Sequence, residues 1–224
     1  MIPANHTGPV NVFERKPMKF QNIAIVAAIA LSALASNAHA ELVINGSFES
    51  YTLGSVNGFQ TINAGSTALT GWTVGATSVD IINGSYGAVS GNSIDMLGTP
   101  GPGFLSQMLF TEIGQLYFLT FDMSSNRGGD NNALGKELTI GALGNQSSHT
   151  FSALTPGVSQ QSYSFVANST STLLSFSSGP SGYSGSVLDN VSVTAVPEPE
   201  TYAMMLAGLG LMGAIARRRK AKQA

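Results

Sequence analysis

Apolar and polar residues alternate with a period of two along residues 94–96, 117–123, 138–140, 163–165 and 187–193, which is the pattern of strands with one face buried. More uniformly apolar runs at 79–82, 104–110 and 173–176 predict further strands. Between them lie clusters of Gly, Asn, Ser and Pro, such as Gly98-Thr99-Pro100-Gly101-Pro102-Gly103 and Gly179-Pro180-Ser181-Gly182, that punctuate turns. No stretch from 41 to 195 carries a sustained helical stripe. Roughly eight to ten short strands at short spacing predict an all-β domain, a single antiparallel β-sandwich of jelly-roll type.

The two ends of the chain follow other patterns. Met18-Lys19-Phe20-Gln21-Asn22 is a short basic region, residues 23–35 are apolar, and Ala38-His39-Ala40 fits an A-x-A cleavage site, so residues 18–40 read as a secretory signal peptide. Residues 1–17 add nothing that such a signal needs, and Met18 is the expected start. At the other end, Val196-Pro197-Glu198-Pro199-Glu200 precedes an apolar run over 202–216 and then Arg217-Arg218-Arg219-Lys220. The prolines predict an extended, exposed handle. Fifteen residues would span about 22 Å as a helix, short of the roughly 30 Å hydrocarbon core, so the run holds a membrane only marginally. The arginines mark a stop-transfer signal that stays cytoplasmic while the preceding chain faces outward. Gly208-Leu209-Gly210-Leu211-Met212-Gly213 satisfies G-x-G-x-x-G, but no strand precedes it and too little chain follows for a βαβ unit. It is not a nucleotide site.

This order of Pro197-Glu198-Pro199, apolar segment and Arg217-Arg218-Arg219 closely resembles the PEP-CTERM sorting signal. The resemblance implies export in an exopolysaccharide-producing Gram-negative bacterium, transient membrane anchoring through the C-terminal helix, and processing by the membrane peptidase exosortase. The alternative is an ordinary single-span tail anchor.

Charge sharpens the expectation for the exported part. Residues 41–195 hold nine acidic side chains (Glu41, Glu49, Asp80, Asp95, Glu112, Asp122, Asp130, Glu137, Asp189) against Arg127 and Lys136, a formal charge of −7. Nucleic acid and anionic lipid, which demand clustered Lys and Arg, are excluded as partners of this domain. Cysteine is absent, so an exported domain must rest on its core, its ladders or a metal.

Leu42-Val43-Ile44-Asn45-Gly46-Ser47-Phe48-Glu49 at the start, Gly71-Trp72-Thr73-Val74 and Leu119-Thr120-Phe121-Asp122 in the middle, and Val187-Leu188-Asp189-Asn190-Val191-Ser192-Val193 at the end follow an order that resembles the galactose-binding-like jelly rolls. That group includes carbohydrate-binding modules and the surface domains called choice-of-anchor C. The resemblance implies first and last strands side by side, with a structural calcium bound near them. On a regular strand Asp189 shares a face with Val187, Val191 and Val193, where a carboxylate is costly unless paired or metal-bound. Glu49 and Asp189 are therefore candidate calcium ligands. The competing reading has Asp189 capping a turn after Ser186 and Glu49 simply solvated.

Other candidates are weaker. Residues 122–133 begin like an EF-hand loop, but Arg127 stands at the sixth position and Ala133 at the twelfth, which rejects that assignment; the segment reads as a polar loop in which Asn126 and Asp130 could meet a ligand. Tyr86 and Tyr183, in glycine-rich surroundings, are candidate sugar contacts, as are Tyr51 and Phe104. Trp72 reads as a core anchor ahead of a sugar platform. His149, in a polar segment that reads as a turn, is the lone histidine of residues 41–195 and there is no G-x-S-x-G elbow. A glycosidase carboxylate pair stays open because its spacing is spatial. The expectation is a noncatalytic surface or matrix protein that binds polysaccharide weakly. The alternatives are a purely structural or adhesive protein, and then a glycan-degrading enzyme.

Overall fold

A computed structural model describes residues 41–126, 136–153, 157–179, 184–197 and 199–221, with the backbone alone for 153 and 199–202. The signal peptide, the expected start at Met18, Arg127, Asp130 and Tyr183 lie outside the described residues.

The alternating stretches form strands; the one at 94–96 keeps its length, shifted by one residue, and the others are longer than their apolar signal. In chain order the strands are β1 (Phe59–Asn63), β2 (Thr73–Ala76), β3 (Ser78–Ile82), β4 (Ser93–Asp95), β5 (Gly103–Phe110), β6 (Leu116–Ser125), β7 (Lys136–Ile140), β8 (His149–Ala153), β9 (Ser159–Val166), β10 (Ser171–Ser178) and β11 (Ser186–Ala195). They build two antiparallel sheets, ordered β1-β3-β4-β11-β6-β9 and β2-β5-β10-β7-β8. Val79, Ile94, Leu119, Phe121 and Val193 of the first sheet meet Val74, Leu105, Leu109, Leu174 and Phe176 of the second in one buried core. The expected sandwich is the observed one. Trp72 is buried between Phe48 and Phe176, at ring distances of 5.4 and 6.3 Å, and its indole N–H donates to the Asn45 carbonyl at 3.0 Å. It is a core anchor.

Several expectations change. Residues 42–49 form no strand: Asn45 and Phe48 take positive φ and the segment turns. It still lies against the last strand, because Leu42 N–H donates to the Val193 carbonyl at 3.0 Å and Val191 N–H to the Gly46 carbonyl at 2.9 Å. Strand β6 runs past the alternating stretch 117–123 and takes in Ser124 and Ser125, expected in the polar loop. His149 opens strand β8, not a turn.

Strand β11 also breaks regular alternation. Its register with β6 shifts between Asp189 and Ser192, and Asn190 adopts φ +49, the left-handed region that asparagine tolerates better than most residues. Leu188 faces the core before this bulge, and Val191 and Val193 after it. Asp189 therefore shares its face with Val187 but not with Val191 or Val193. Asp189 follows core-facing Leu188 and directs its carboxylate away from the core to Ser90 and Ser93, while the bulge after it returns Val191 and Val193 to the core.

After β11 comes the tail. Helix α1 (Pro199–Ala221) carries Arg218, Arg219 and Lys220 in its last turn, and its side chains from 203 onward are exposed. The extended handle is shorter than expected. Pro199 opens the helix, where its missing N–H costs nothing, and Arg217 lies inside it. Among the described residues no helix is long and apolar enough to cross a membrane.

Candidate functional site

The chain between β3 and β4 gathers the polar chemistry of the first sheet. Asn83 caps a short 3-10 turn by accepting from Ser85 N–H at 3.1 Å, and Gly87 closes it in the left-handed region. Tyr86, the candidate sugar contact, packs edge-on against Phe59 of β1, with ring centroids 5.4 Å apart and planes at 71°. Phe59 is itself exposed, so the pair forms an aromatic corner at the surface.

Two carboxylates pin the following residues. Asp189 is buried; its Oδ2 accepts from Ser93 Oγ at 2.9 Å, Ser90 N–H at 3.2 Å and Ser90 Oγ at 3.4 Å, and its Oδ1 from Asn190 N–H at 2.7 Å. Burial raises its pKa, and the hydrogen bonds from Asn190, Ser93 and Ser90 oppose the shift. Glu49 is exposed and forks onto Asn92, taking the N–H at 2.7 Å and the side-chain amide at 2.8 Å. That amide also reaches the Tyr51 hydroxyl at 3.3 Å. Between these anchors Gly91 sits at φ +51, and a Cβ there would lie 2.0 Å from Glu49 Oε1. Only glycine admits both that backbone and that approach. Beyond the bulge, Asn190 donates to Asp122 at 2.9 Å.

Glu49 and Asp189, the proposed calcium ligands, thus flank one turn. Neither competing expectation holds as stated, since Asp189 lies within a strand and Glu49 is hydrogen-bonded. The described residues hold no group of three or more His, Cys, Asp or Glu side chains suited to a metal. Two hard carboxylates are donors of the type calcium takes, and here both already accept from backbone and side-chain donors.

A second pair of carboxylates lies deeper. Asp80 of β3 and Asp95 of β4 face each other in register, both buried. Asp95 accepts from Asn126 Nδ2 at 2.5 Å, Leu97 N–H at 2.9 Å and Gly185 N–H at 3.0 Å. Asp80 accepts from Thr99 N–H at 3.2 Å and its hydroxyl at 3.0 Å. Burial above all pushes the Asp95 pKa up to about 7, with the Asp80 charge adding to it, while the bonds from Asn126, Leu97 and Gly185 pull it down. These contacts tie the ends of β4 and β6 to the segment before β11. Asn126, expected at a ligand surface, is buried and spends its amide on Asp95. The pattern along the chain could not place it, because its partner is 31 residues away.

His149 lies against two rings, stacked on Tyr163 at 5.7 Å and edge-on to Phe151 at 4.6 Å. That is a packing role. Sequence reasoning also passed over Asn92, Asn190 and Asp122, which complete the polar turn; the one sequence signal was the carboxylate of Glu49 followed, far along the chain, by Asp189.

The model of a family described as a protein of unknown function, DUF642, matches residues 41–194. The PEP-CTERM protein-sorting motif matches residues 195–220. Halomucin of Haloquadratum walsbyi is 32% identical over 185 residues, which are 79% of this chain and 2% of that protein; the chain spans only a small fraction of that relative's length. Among solved structures, one titled as CBM4 structure and function superposes with a TM-score of 0.41 at 16% identity, over 69% of this chain and 99% of the other. TmCBM61 in complex with β-1,4-galactotriose superposes with a TM-score of 0.37 at 12% identity, over 70% and 99%. Likeness at that level carries no argument about a ligand.

Proposed function

Because the chain belongs to the DUF642 family and ends in a PEP-CTERM sorting motif, which implies export and cell-surface sorting in bacteria, we propose that it is a noncatalytic surface or exopolysaccharide-matrix protein, processed by exosortase, that binds saccharide weakly beside the turn between β3 and β4. The observation that carries this reading is that the segment between β3 and β4 holds both Tyr86, in an aromatic corner with Phe59, and Asn92, whose amide meets the carboxylate of Glu49 and the phenol of Tyr51. Sugar recognition uses those groups: a ring to cover a pyranose face and paired amides and carboxylates for vicinal hydroxyls. The same polar groups already bond to one another, which supports weak binding and favours a structural or adhesive role as the second reading.

Affinity electrophoresis in the producer's own polysaccharide tests the proposal. Retardation of the protein, lost in the Tyr86→Ala and Asn92→Ala variants at unchanged melting temperature, is the expected result. No retardation across a broad glycan panel leaves the structural reading in its place, and release of reducing ends brings back the glycan-degrading one. Calcium bound by Glu49 and Asp189 would brace the same turn by compensating a buried charge. A melting temperature several degrees higher in calcium than in chelator supports that assignment, and equal temperatures remove it.

A further inference from the structure

At the end of the sandwich where the tail departs, apolar side chains stand in solvent. Met108 and Phe110 lie on the outer face of β5, with Leu173 paired to Met108 and Ser171 to Phe110 across β10. The turn from β5 to β6 carries Ile113, and β6 opens with Leu116 and Phe118 on the outer face of the other sheet. All six are exposed, Phe110 at 85% and Ile113 at 69%. They form a rim around one end, with Glu112 as the charged side chain of the turn. The tail leaves through that rim: Val196 N–H donates to the Leu116 carbonyl at 2.8 Å, Gln115 Nε2 donates to the Val196 carbonyl at 2.6 Å, and helix α1 begins at Pro199.

We propose that this rim is a membrane-interface surface, by which the domain rests on the outer leaflet while the tail is still attached. Two observations choose lipid over other occupants. The rim surrounds the point from which the chain enters its membrane-directed tail. Among the described residues of that tail no helix is long and apolar enough to cross a membrane, and an anchor of marginal strength is held by a second apolar contact. The domain's charge of −7 opposes approach to anionic headgroups, so attachment at the rim has to come from apolar insertion into a neutral interface. Phe, Ile, Leu and Met at the acyl–headgroup boundary supply it. The proposal rests on membrane attachment of the tail and not on saccharide binding, so polysaccharide retention is unmoved by its success or failure.

The test uses the full chain in phosphatidylcholine vesicles with brominated acyl chains. Native Trp72 is buried in the core and provides a constant background. A tryptophan placed by Phe110→Trp is expected to be quenched at least about threefold more than one placed by Ser152→Trp at the opposite end of the second sheet, since only the former reaches the acyl boundary. The double variant Phe110→Ser/Ile113→Ser should float with vesicles several-fold less than the parent. Equal quenching at the two positions overturns the proposal, as does failure of the parent chain to float. If quenching is equal and the double variant is processed more slowly in cells, the rim docks the processing peptidase and the lipid assignment falls.

Discussion

The two ends of strands β6 and β11 invert the usual rule of burial. At one end Ser125 and Ser186 pair beside Asp80 and Asp95, carboxylates enclosed by backbone and glycine. At the other, beyond Leu116 and the Ala195–Tyr117 pair, the connection from β5 leaves Phe110 and Ile113 in water. Ten residues of strand, roughly 30 Å, separate them. Burying a carboxylate without a cation is costly, and the acid end offsets that cost with a full set of N–H and O–H donors that ties three separate segments together. Exposing a phenylalanine forgoes burial that would stabilise the fold by about 2 kcal/mol. The first end spends stability to fix the geometry of the sheet's edge loops. The second forgoes stability at the place where the tail departs, which gives that surface its reason to be read as a contact.

The largest way to break the contrast is pH. The folded pKa of Asp95 is about 7, above its ordinary value of 3.8, so between those values the native state holds a proton that the unfolded chain releases. Stability therefore falls as pH rises from about 4 to about 7, by on the order of 4 kcal/mol if Asp95 acted alone. The raised Asp189 contributes in the same direction. Chemical denaturation across this range is expected to show the decline, and Asp95→Asn to flatten most of it even though the amide matches its donors less well. A decline unchanged in Asp95→Asn would separate the acid end from the pH response.

Gly185→Ala attacks the same end sterically. A Cβ there would lie 2.4 Å from Asp95 Oδ1, 2.6 Å from Leu97 Cβ and 2.7 Å from Leu97 N, and none of these is the end of a flexible side chain free to move aside. A loss of about 3 kcal/mol, or roughly 10 °C in melting temperature for a domain of this size, is the expected result by calorimetry. An alanine tolerated at that position would show that β4 and the segment before β11 can part without cost.

How much of this was legible in the sequence follows from where each element sits. The eight alternating or apolar runs became strands because their inward residues meet the core. The strands that gave no such signal, β1, β2 and β8, are all sheet edges. In β1 only Ile62 is buried, and in β2 only Val74. An edge strand with one inward side chain leaves almost no period to detect. The bulge at Asn190 was hidden because a single positive φ reverses the faces of everything after it while the letters still alternate. The site is less legible again. Asp189 meets Ser93 across 96 residues, and Glu49 meets Asn92 across 43, so their chemistry exists only once both ends of the chain are in place. The tail, by contrast, was local, and its match over residues 195–220 shows how well a contiguous signal survives reading; what failed there was the boundary, because proline can open a helix as readily as forbid one.

The smallest effect is the one that bears most directly on the apolar end. Phe110→Ser removes a large aromatic side chain that contributes almost nothing to the core, so its melting temperature in solution should stay within about 1 °C of the parent, as surface substitutions within about 0.5 kcal/mol do. The same truncation at Phe176, which is fully buried, should cost about 4 kcal/mol. The ratio matters more than either value. If Phe110→Ser were as damaging as a core truncation, the rim would be holding the fold, and exposure there would need no partner to explain it. If it is silent in solution, the apolar character of the rim has no role in folding and must answer to something the domain touches.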